Sequence, residues 1–165
     1  MTEAIRPETG GPTTFNLLFV CTGNTCRSPL AEAIARRELV RRGWTHVAVA
    51  SAGTGAGVGQ AAADHACAVA AEHELDLGGH RSRPVDAELV DWADLVFVMS
   101  VSHLWRIAEL GGADKVALIT EFVDEDADGV PDPFGRDEAA YRTTFERLEE
   151  AIERVLRRLE PILEP

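Results

Sequence analysis

The chain alternates between short apolar segments and longer segments with helical periodicity. The apolar segments cover residues 15–20, 46–51, 94–99 and 115–119. Nearly continuous apolar runs of this length are typical of strands that are buried on both faces of a parallel sheet. The pattern therefore predicts four strands.

A helical pattern follows each predicted strand. These patterns cover residues 28–42, 61–75, 102–110 and 137–159, and Gly43 and Gly111 are placed to end the first and third. The alternation predicts an α/β fold, a Rossmann-like three-layer α/β/α sandwich with a central four-stranded parallel sheet. Ligands of such sheets bind beyond the carboxyl ends of the strands, so the loops at that edge are the first place to look for chemistry.

The length and composition fit a single globular domain. The chain has 165 residues, of which 45% are hydrophobic and 27% charged. We expect one domain over residues 15–165, preceded by a flexible tail at residues 1–14. No apolar run approaches the length of a membrane span.

The charge and the cysteine count narrow the function classes. The formal net charge is -12, which disfavours binding to nucleic acids or to anionic membranes. Three cysteines do not make the disulfide framework of a secreted protein. We therefore expect a cytoplasmic protein, and a monomer.

The loop between the first strand and the first helix carries the clearest chemical signal. Residues 20–29 read Val-Cys-Thr-Gly-Asn-Thr-Cys-Arg-Ser-Pro. A short loop at a helix N-terminus directs backbone N–H groups into one concavity, which suits a phosphate group. Gly23 and Asn24 can adopt the left-handed conformations that such a loop needs. Arg27 can bind two phosphate oxygens, and these positive surroundings favour the thiolate of Cys21, a nucleophile.

This loop resembles the signature of the low-molecular-weight protein phosphatase family. Similar segments occur further along the chain, at residues 51–54, 79–83, 94–99 and 132–134. The resemblance thus extends from about residue 15 to the end of the chain. It is most like the bacterial branch of protein-arginine phosphatases.

The resemblance implies roles for individual residues. Cys21 would be the nucleophile, Arg27 the phosphate clamp, and Asp132 the acid that protonates the leaving group and then activates water. No cofactor or metal would be needed. The substrate and phosphate would be bound by a set of loop and rim residues, namely Thr22, Gly23, Asn24, Thr25, Cys26, Ser28 and Phe134. Ser51 and His80, with Asn24, would hold the loop in shape, and Ser28 would donate its hydroxyl to the thiolate.

Two positions bear on the phosphorylated substrate. Thr25 is polar where the tyrosine phosphatases of the family usually have a branched aliphatic residue, and Gly135 replaces one of two adjacent aromatic residues that enclose a tyrosine ring. A polar site suits a guanidinium better than an aromatic ring. We therefore favour phosphoarginine in proteins as the substrate, with phosphotyrosine as the alternative and inorganic phosphate as the product.

Two rival functions of the loop are weaker. Arsenate reductases resemble the same loop and fold but need further resolving cysteines, and the remaining Cys67 falls inside a predicted helix. A module that only binds anions would be expected to lack Cys21, Arg27 or Asp132. The sequence also allows Cys21 and Cys26 to form a disulfide under oxidation, which would reversibly switch off activity.

An acidic segment before Asp132 partly matches a calcium-binding loop. Asp124, Asp126, Asp128 and Gly129 occupy the first positions of an EF-hand, but position 12 is Gly135 rather than glutamate. We predict a solvated acidic loop without a metal. The other histidines lack companions at metal-ligand spacing, and surface or capping roles are expected for His46, His65, His73 and His103.

Overall fold

The computed structural model describes residues 15–123 and 128–163, so the predicted tail and both Asp124 and Asp126 lie outside the described residues. A parallel four-stranded sheet has the order β2-β1-β3-β4. Its strands are β1 (Phe15–Cys21), β2 (Val47–Gly53), β3 (Leu95–Val98) and β4 (Val116–Leu118). The predicted sheet is confirmed.

Helices cover both faces of this sheet. They are α1 (Arg27–Arg42), α2 (Asp64–Glu72), α3 (Ala87–Trp92), α4 (Val101–Ile107) and α5 (Glu138–Leu163). Helices α1, α2 and α5 share one core with the sheet, and α3 and α4 share the other. The three-layer α/β/α sandwich is therefore confirmed. In the described part of the chain, no helix combines the length and the apolar character that a membrane crossing requires.

Strand β1 lies inside the sheet, between β2 and β3, with both of its faces buried. This position explains why its sequence is predominantly apolar. Leu17 and Phe19 face the core beneath α1 and α5, whereas Leu18 and Val20 face the core beneath α3 and α4. Full burial of one such side chain stabilises the fold by roughly 1.5–3 kcal/mol. Because side chains alternate along a strand, Cys21 lies on the same side as Phe19, facing α1.

Several element boundaries differ from the sequence-based prediction. The short helix α3 was not predicted, although Asp86 caps it by accepting the Leu89 N–H at 2.8 Å. Helix α2 is shorter than predicted, because Glu74 lies just beyond it at φ 62°. Helix α5 runs past the predicted end and includes Pro161. Helix α1 ends at Gly43 with φ 70°, as predicted.

The segment after β4 is attached to the carboxyl end of β3. The Val130 N–H donates to the Met99 carbonyl at 2.7 Å, and Gly129 forms a bridge with Ser100. Gly129 has φ 106°, and a Cβ atom there would collide with the Met99 carbonyl. This position therefore requires glycine for a reason unrelated to calcium. The attachment brings Asp132 to the edge of the sheet where Cys21 lies.

Candidate active site

A cavity of about 290 Å³ lies at the carboxyl edge of the sheet, above the loop between β1 and α1. It is lined by Cys21, Thr22, Gly23, Thr25, Cys26, Arg27, Gln60, Asp132 and Phe134. The fold thus brings the three predicted catalytic side chains to one cavity, although Asp132 is far from the others in sequence. Gln60 was not predicted. The glycine-rich stretch before it, residues 53–59, does not line this cavity.

The loop presents backbone donors without acceptors. The N–H groups of residues 22–26 donate no hydrogen bond to any residue that the structure describes. Helix α1 begins directly after the loop and has no acidic side chain in its first turn. Free N–H groups and the positive end of a 16-residue helix make a site suited to an anion.

Cys21 and Ser28 are in contact at the base of the loop. The Cys21 Sγ lies 3.0 Å from the Ser28 Oγ, and both residues are buried. Asn24 Nδ2 donates to the same hydroxyl oxygen at 2.8 Å, so the hydroxyl hydrogen remains free to be donated. The Ala52 carbonyl also lies within reach, at 3.4 Å. The shorter contact is the one with the sulfur.

Asn24 holds the loop to the neighbouring segments. Its backbone is left-handed, with φ 56°, and its side chain donates to Ser51 Oγ at 3.0 Å and accepts the Arg83 N–H at 3.0 Å. The Asn24 carbonyl accepts a hydrogen bond from His80 Nε2 at 2.7 Å. Ser51 in turn donates to Glu32 at 2.6 Å. Ser51, His80 and Asn24 are therefore brought together, as expected from the sequence.

The Arg27 guanidinium is buried and partly unpaired. Only 4% of the residue is exposed, and its Nη1 donates to the Val130 carbonyl at 3.0 Å. Its Nη2 lies 3.5 Å from Asp132 Oδ2. Its Nε has no hydrogen-bond partner among the described residues. A buried donor without an acceptor costs about 1–3 kcal/mol, so this N–H is suited to a ligand oxygen.

Asp132 and Phe134 form the outer rim of the cavity. The Asp132 side chain is 49% exposed, and its Oδ1 accepts the Phe134 N–H at 3.1 Å. Phe134 is itself 71% exposed. This arrangement leaves one carboxylate oxygen beside Arg27 and gives the rim an apolar surface. Gly135 follows with φ 79° and adds no second aromatic wall.

The second cysteine of the loop contacts α5 rather than Cys21. Cys26 Sγ lies 3.3 Å from the Tyr141 hydroxyl, and burial raises the pKa of the Cys26 thiol. Burial and the contact with Cys26 also raise the pKa of Tyr141. All three cysteines are free, and Cys67 is half-buried in α2 with its sulfur 3.8 Å from the Ala62 carbonyl. Cys67 does not line the cavity.

His103 is the functional neighbour that the sequence analysis missed. It caps α4, as one of the expected roles allowed, but it is only 3% exposed and also contacts the loop. Its Nε2 lies 2.9 Å from Thr22 Oγ1. Burial, and then the positive charge of Arg27, lower the pKa of His103 to about 4, although Asp132 opposes this shift. Its place in the turn after β3, at the carboxyl edge, is the signal that could have identified it.

The remaining histidines make contacts elsewhere. His46 Nε2 lies 3.0 Å from the Leu163 carbonyl, and His73 stacks on Phe145. The His65 ring lies against Tyr141. Within residues 15–123 and 128–163, no cluster of three or more His, Cys, Asp or Glu side chains could hold a metal ion.

Comparison with known families agrees with this geometry. The model of the low molecular weight phosphotyrosine protein phosphatases matches residues 16–162. The chain belongs to this family. The match covers all four strands except for Phe15, and it includes every residue that lines the cavity.

Similar proteins in the family carry two different names. A protein-arginine-phosphatase of Bacillus subtilis is 39% identical over 146 residues, which are 87% of this chain and 96% of that protein. The low molecular weight protein-tyrosine-phosphatase Wzb of Escherichia coli is 37% identical over 136 residues, which are 81% of this chain and 88% of that protein. These relatives thus include enzymes named for phosphoarginine and for phosphotyrosine.

Solved structures show the same fold. A mutant of the YwlE arginine phosphatase with a phosphorylated active-site serine in place of cysteine has a TM-score of 0.84 and 37% identity, covering 91% of this chain and 100% of that one. The YwlE arginine phosphatase from Geobacillus stearothermophilus has a TM-score of 0.82 and 35% identity, covering 90% and 95% of the two chains. In the first of these, the phosphoryl group sits on the residue in the nucleophile's place.

Proposed function

We propose that this protein is a cysteine-dependent protein phosphatase that favours phosphoarginine in proteins. The observation that carries the proposal is the loop itself. One cavity is lined by the buried Cys21, by loop residues whose backbone N–H groups are free, and by Arg27, whose Nε is unpaired among the described residues. Such a loop binds a phosphoryl group by its oxygens and presents its phosphorus to the sulfur.

The reaction has two steps. The Cys21 sulfur attacks phosphorus, an S–P bond forms, and the bond from phosphorus to the substrate nitrogen breaks while Asp132 gives that nitrogen a proton. Asp132 then takes a proton from water, which attacks phosphorus and breaks the S–P bond. The products are inorganic phosphate and the free arginine side chain. Arg27 and the loop amides stabilise the charge of the transferred group in both steps.

Ser28 assists Cys21 in both steps. Its oxygen already accepts a hydrogen bond from Asn24, and its hydrogen lies within reach of the sulfur at 3.0 Å. A hydroxyl donor stabilises the sulfur as an anion, both before attack and when it leaves the phosphocysteine. Ser28 performs this role as a neutral hydroxyl and does not lose its proton.

The lining of the cavity supports phosphoarginine. Thr25 places a hydroxyl-bearing side chain in the lining, and Gly135 leaves the rim with the single aromatic side chain of Phe134. A guanidinium also suits Asp132, because the carboxylic acid that protonates the leaving nitrogen in the first step becomes a carboxylate that can accept the N–H groups of the released guanidinium. The relatives named as protein-arginine-phosphatases, at 39% and 36% identity, point the same way.

Phosphotyrosine is the second candidate substrate. Phe134 is exposed at the rim and could stack against an aromatic ring. The Wzb enzymes are relatives of similar identity.

For either substrate, we propose that the enzyme acts as a cytoplasmic monomer. Its net charge of -12 favours protein substrates over nucleic acids.

The decisive experiment compares initial rates on an arginine-phosphorylated protein and on a tyrosine-phosphorylated peptide. Cys21→Ser serves as the inactive control. We expect the phosphoarginine substrate to be preferred, and the preference to collapse in Thr25→Ile while Thr25→Ser retains most of it. If phosphotyrosine is hydrolysed faster than phosphoarginine, and substitution of Thr25 does not change this preference, the protein is a tyrosine phosphatase. No turnover of either substrate would overturn the proposed function.

A further inference from the structure

A chain of hydrogen bonds links the start of α4 to the loop between β1 and α1, residues 22–26, which we call the phosphate loop. His103 Nδ1 lies 3.1 Å from the Ser100 backbone nitrogen and 3.1 Å from the Ser100 hydroxyl. A backbone N–H can only donate, so Nδ1 accepts and carries no proton in the neutral ring. The ring proton must then be on Nε2.

This protonation pattern fixes the direction of the next hydrogen bond. Burial and the charge of Arg27 keep His103 neutral at pH 7. Nε2–H therefore donates to Thr22 Oγ1 across 2.9 Å, and the hydroxyl oxygen accepts. A rotating hydroxyl on the loop is thereby held in one orientation.

The oriented hydroxyl lies beside the phosphate clamp. Arg27 Nη2, which can also only donate, lies 3.4 Å from the same Thr22 oxygen. Two accepted hydrogen bonds occupy both lone pairs of that oxygen. With the Val130 carbonyl on Nη1, Thr22 fixes the plane of the guanidinium and leaves Nε as its unpaired donor.

We propose that His103 is a positioning residue for the phosphate clamp, acting through the Thr22 hydroxyl on Arg27. This inference rests on the proposed function, because it assigns Arg27 to the phosphoryl group. His103 does not touch the reacting atoms. Its two ring nitrogens have different roles, because Nδ1 caps α4 and Nε2 orients the Thr22 hydroxyl.

Two substitutions at His103 separate these tasks. His103→Asn keeps an acceptor close to the position of Nδ1, so the cap on the Ser100 N–H is retained, but its side chain is too short to reach Thr22. His103→Gln extends an N–H donor towards Thr22 and gives up the cap. If orientation of Thr22 matters, Gln restores phosphate binding better than Asn. If only the cap matters, Asn is the better replacement.

The measurement is the dissociation constant of inorganic phosphate, determined by calorimetry on the full chain. We expect His103→Asn and Thr22→Val each to weaken binding about three- to tenfold, the effect of one lost hydrogen bond. The double variant should bind phosphate no more weakly than the weaker of the two single variants, because both substitutions remove the hydrogen bond between His103 and Thr22. Thr22→Ser, which keeps the hydroxyl that accepts from His103, should recover most of the affinity that Thr22→Val loses. Independent, multiplying effects would overturn the proposal.

A second readout does not depend on turnover. Nitrogen chemical shifts of His103 at pH 7 should report a protonated Nε2 and an unprotonated Nδ1, and the opposite tautomer or a doubly protonated ring would contradict the proposal. If the parent binds phosphate with the expected coupling but hydrolyses neither phosphoprotein, the function fails and this inference stands. If it hydrolyses phosphoproteins without the coupling, only this inference fails. Should His103→Asn not fold, the Thr22→Val and Thr22→Ser pair tests the same link.

Discussion

Among single residues, Asp132 has the role that depends most on the leaving group. In Asp132→Asn the amide cannot supply a proton, so kcat/KM on a phosphorylated protein, which reports the first step, should fall by about 10²–10⁴-fold. An aryl phosphate whose leaving group is already a stable anion needs less protonation, so its kcat/KM should fall much less. Steady-state rates on the two substrates measure the difference.

Asp128 offers a matched control for this prediction. It is an exposed aspartate on the same segment, and it lines a neighbouring cavity with Arg27 and Asp132 but not the cavity that contains Cys21. Asp128→Asn removes the same charge and should leave both rates within about twofold of the parent. Equal losses in the two variants would mean that Asp132 acts only through its charge and not as an acid.

The residues whose arrangement could be predicted from local sequence alone are those that lie close together in it, whereas Asp132 was assigned by the family resemblance. Cys21 and Arg27 belong to one strand, loop and helix, so their spacing already determines their geometry. The contact of Thr22 with His103 joins residues 81 positions apart and depends on how α4 packs against the sheet. The contact of Cys26 with Tyr141 depends in the same way on α5. Neither contact leaves a local pattern in the sequence.

At the scale of elements, the end of β2 supports the phosphate loop from below. A Cβ atom on Gly53 would collide with the Thr22 carbonyl and lie 3.0 Å from the Asn24 nitrogen. Because both are backbone atoms of the loop, Gly53→Ala must displace the loop itself. We expect a loss of about 1–3 kcal/mol in the free energy of unfolding and at least tenfold weaker phosphate binding.

Gly55 provides the comparison for this substitution. A Cβ atom there would meet Thr22 Cγ2 only at 3.7 Å, which is ordinary van der Waals contact. Gly55→Ala should therefore keep both the stability and the phosphate affinity of the parent. Urea denaturation and calorimetry measure the two quantities. A Gly53→Ala protein that matched the parent in both would show that the loop can move without cost.

The predictability of each element follows the strength of its physical signal. The strands were identified because burial on both faces makes them apolar throughout. Helix α3 spans only six residues, too few for a helical period to stand out, and its Asp86 cap was recognised only in the structure. The end of α2 depends on a left-handed Glu74, a conformation that the residue type does not favour. Helix α5 continues past Pro161 because packing of its apolar face outweighs one lost hydrogen bond.

At the scale of the whole molecule, binding of a phosphoryl group depends on the local geometry of the site and not on the overall charge. The chain carries a net charge of -12, which repels anionic substrates at a distance. The cavity binds a phosphoryl group through short-range donors, the loop amides and Arg27, whose effect is strongest where water is excluded. Composition alone argued against nucleic acids and anionic membranes as partners, and only the order of residues in one loop indicated a phosphate site.

The buried neutral His103 should make the stability of the whole molecule depend on pH. Its pKa is about 4 in the folded protein, against a usual value of 6.5. Between these values the unfolded chain binds a proton that the folded protein does not, so the stabilisation is present above about pH 6.5 and is lost as the pH falls towards 4. Between pH 7 and pH 5 this amounts to about 2 kcal/mol. Urea unfolding of the parent and of His103→Asn at both pH values isolates the contribution, because the other ionisable groups are the same in the two proteins. The parent should lose about 2 kcal/mol more than the variant over this interval, and equal losses would mean that the pKa of His103 is the same in the folded and the unfolded protein.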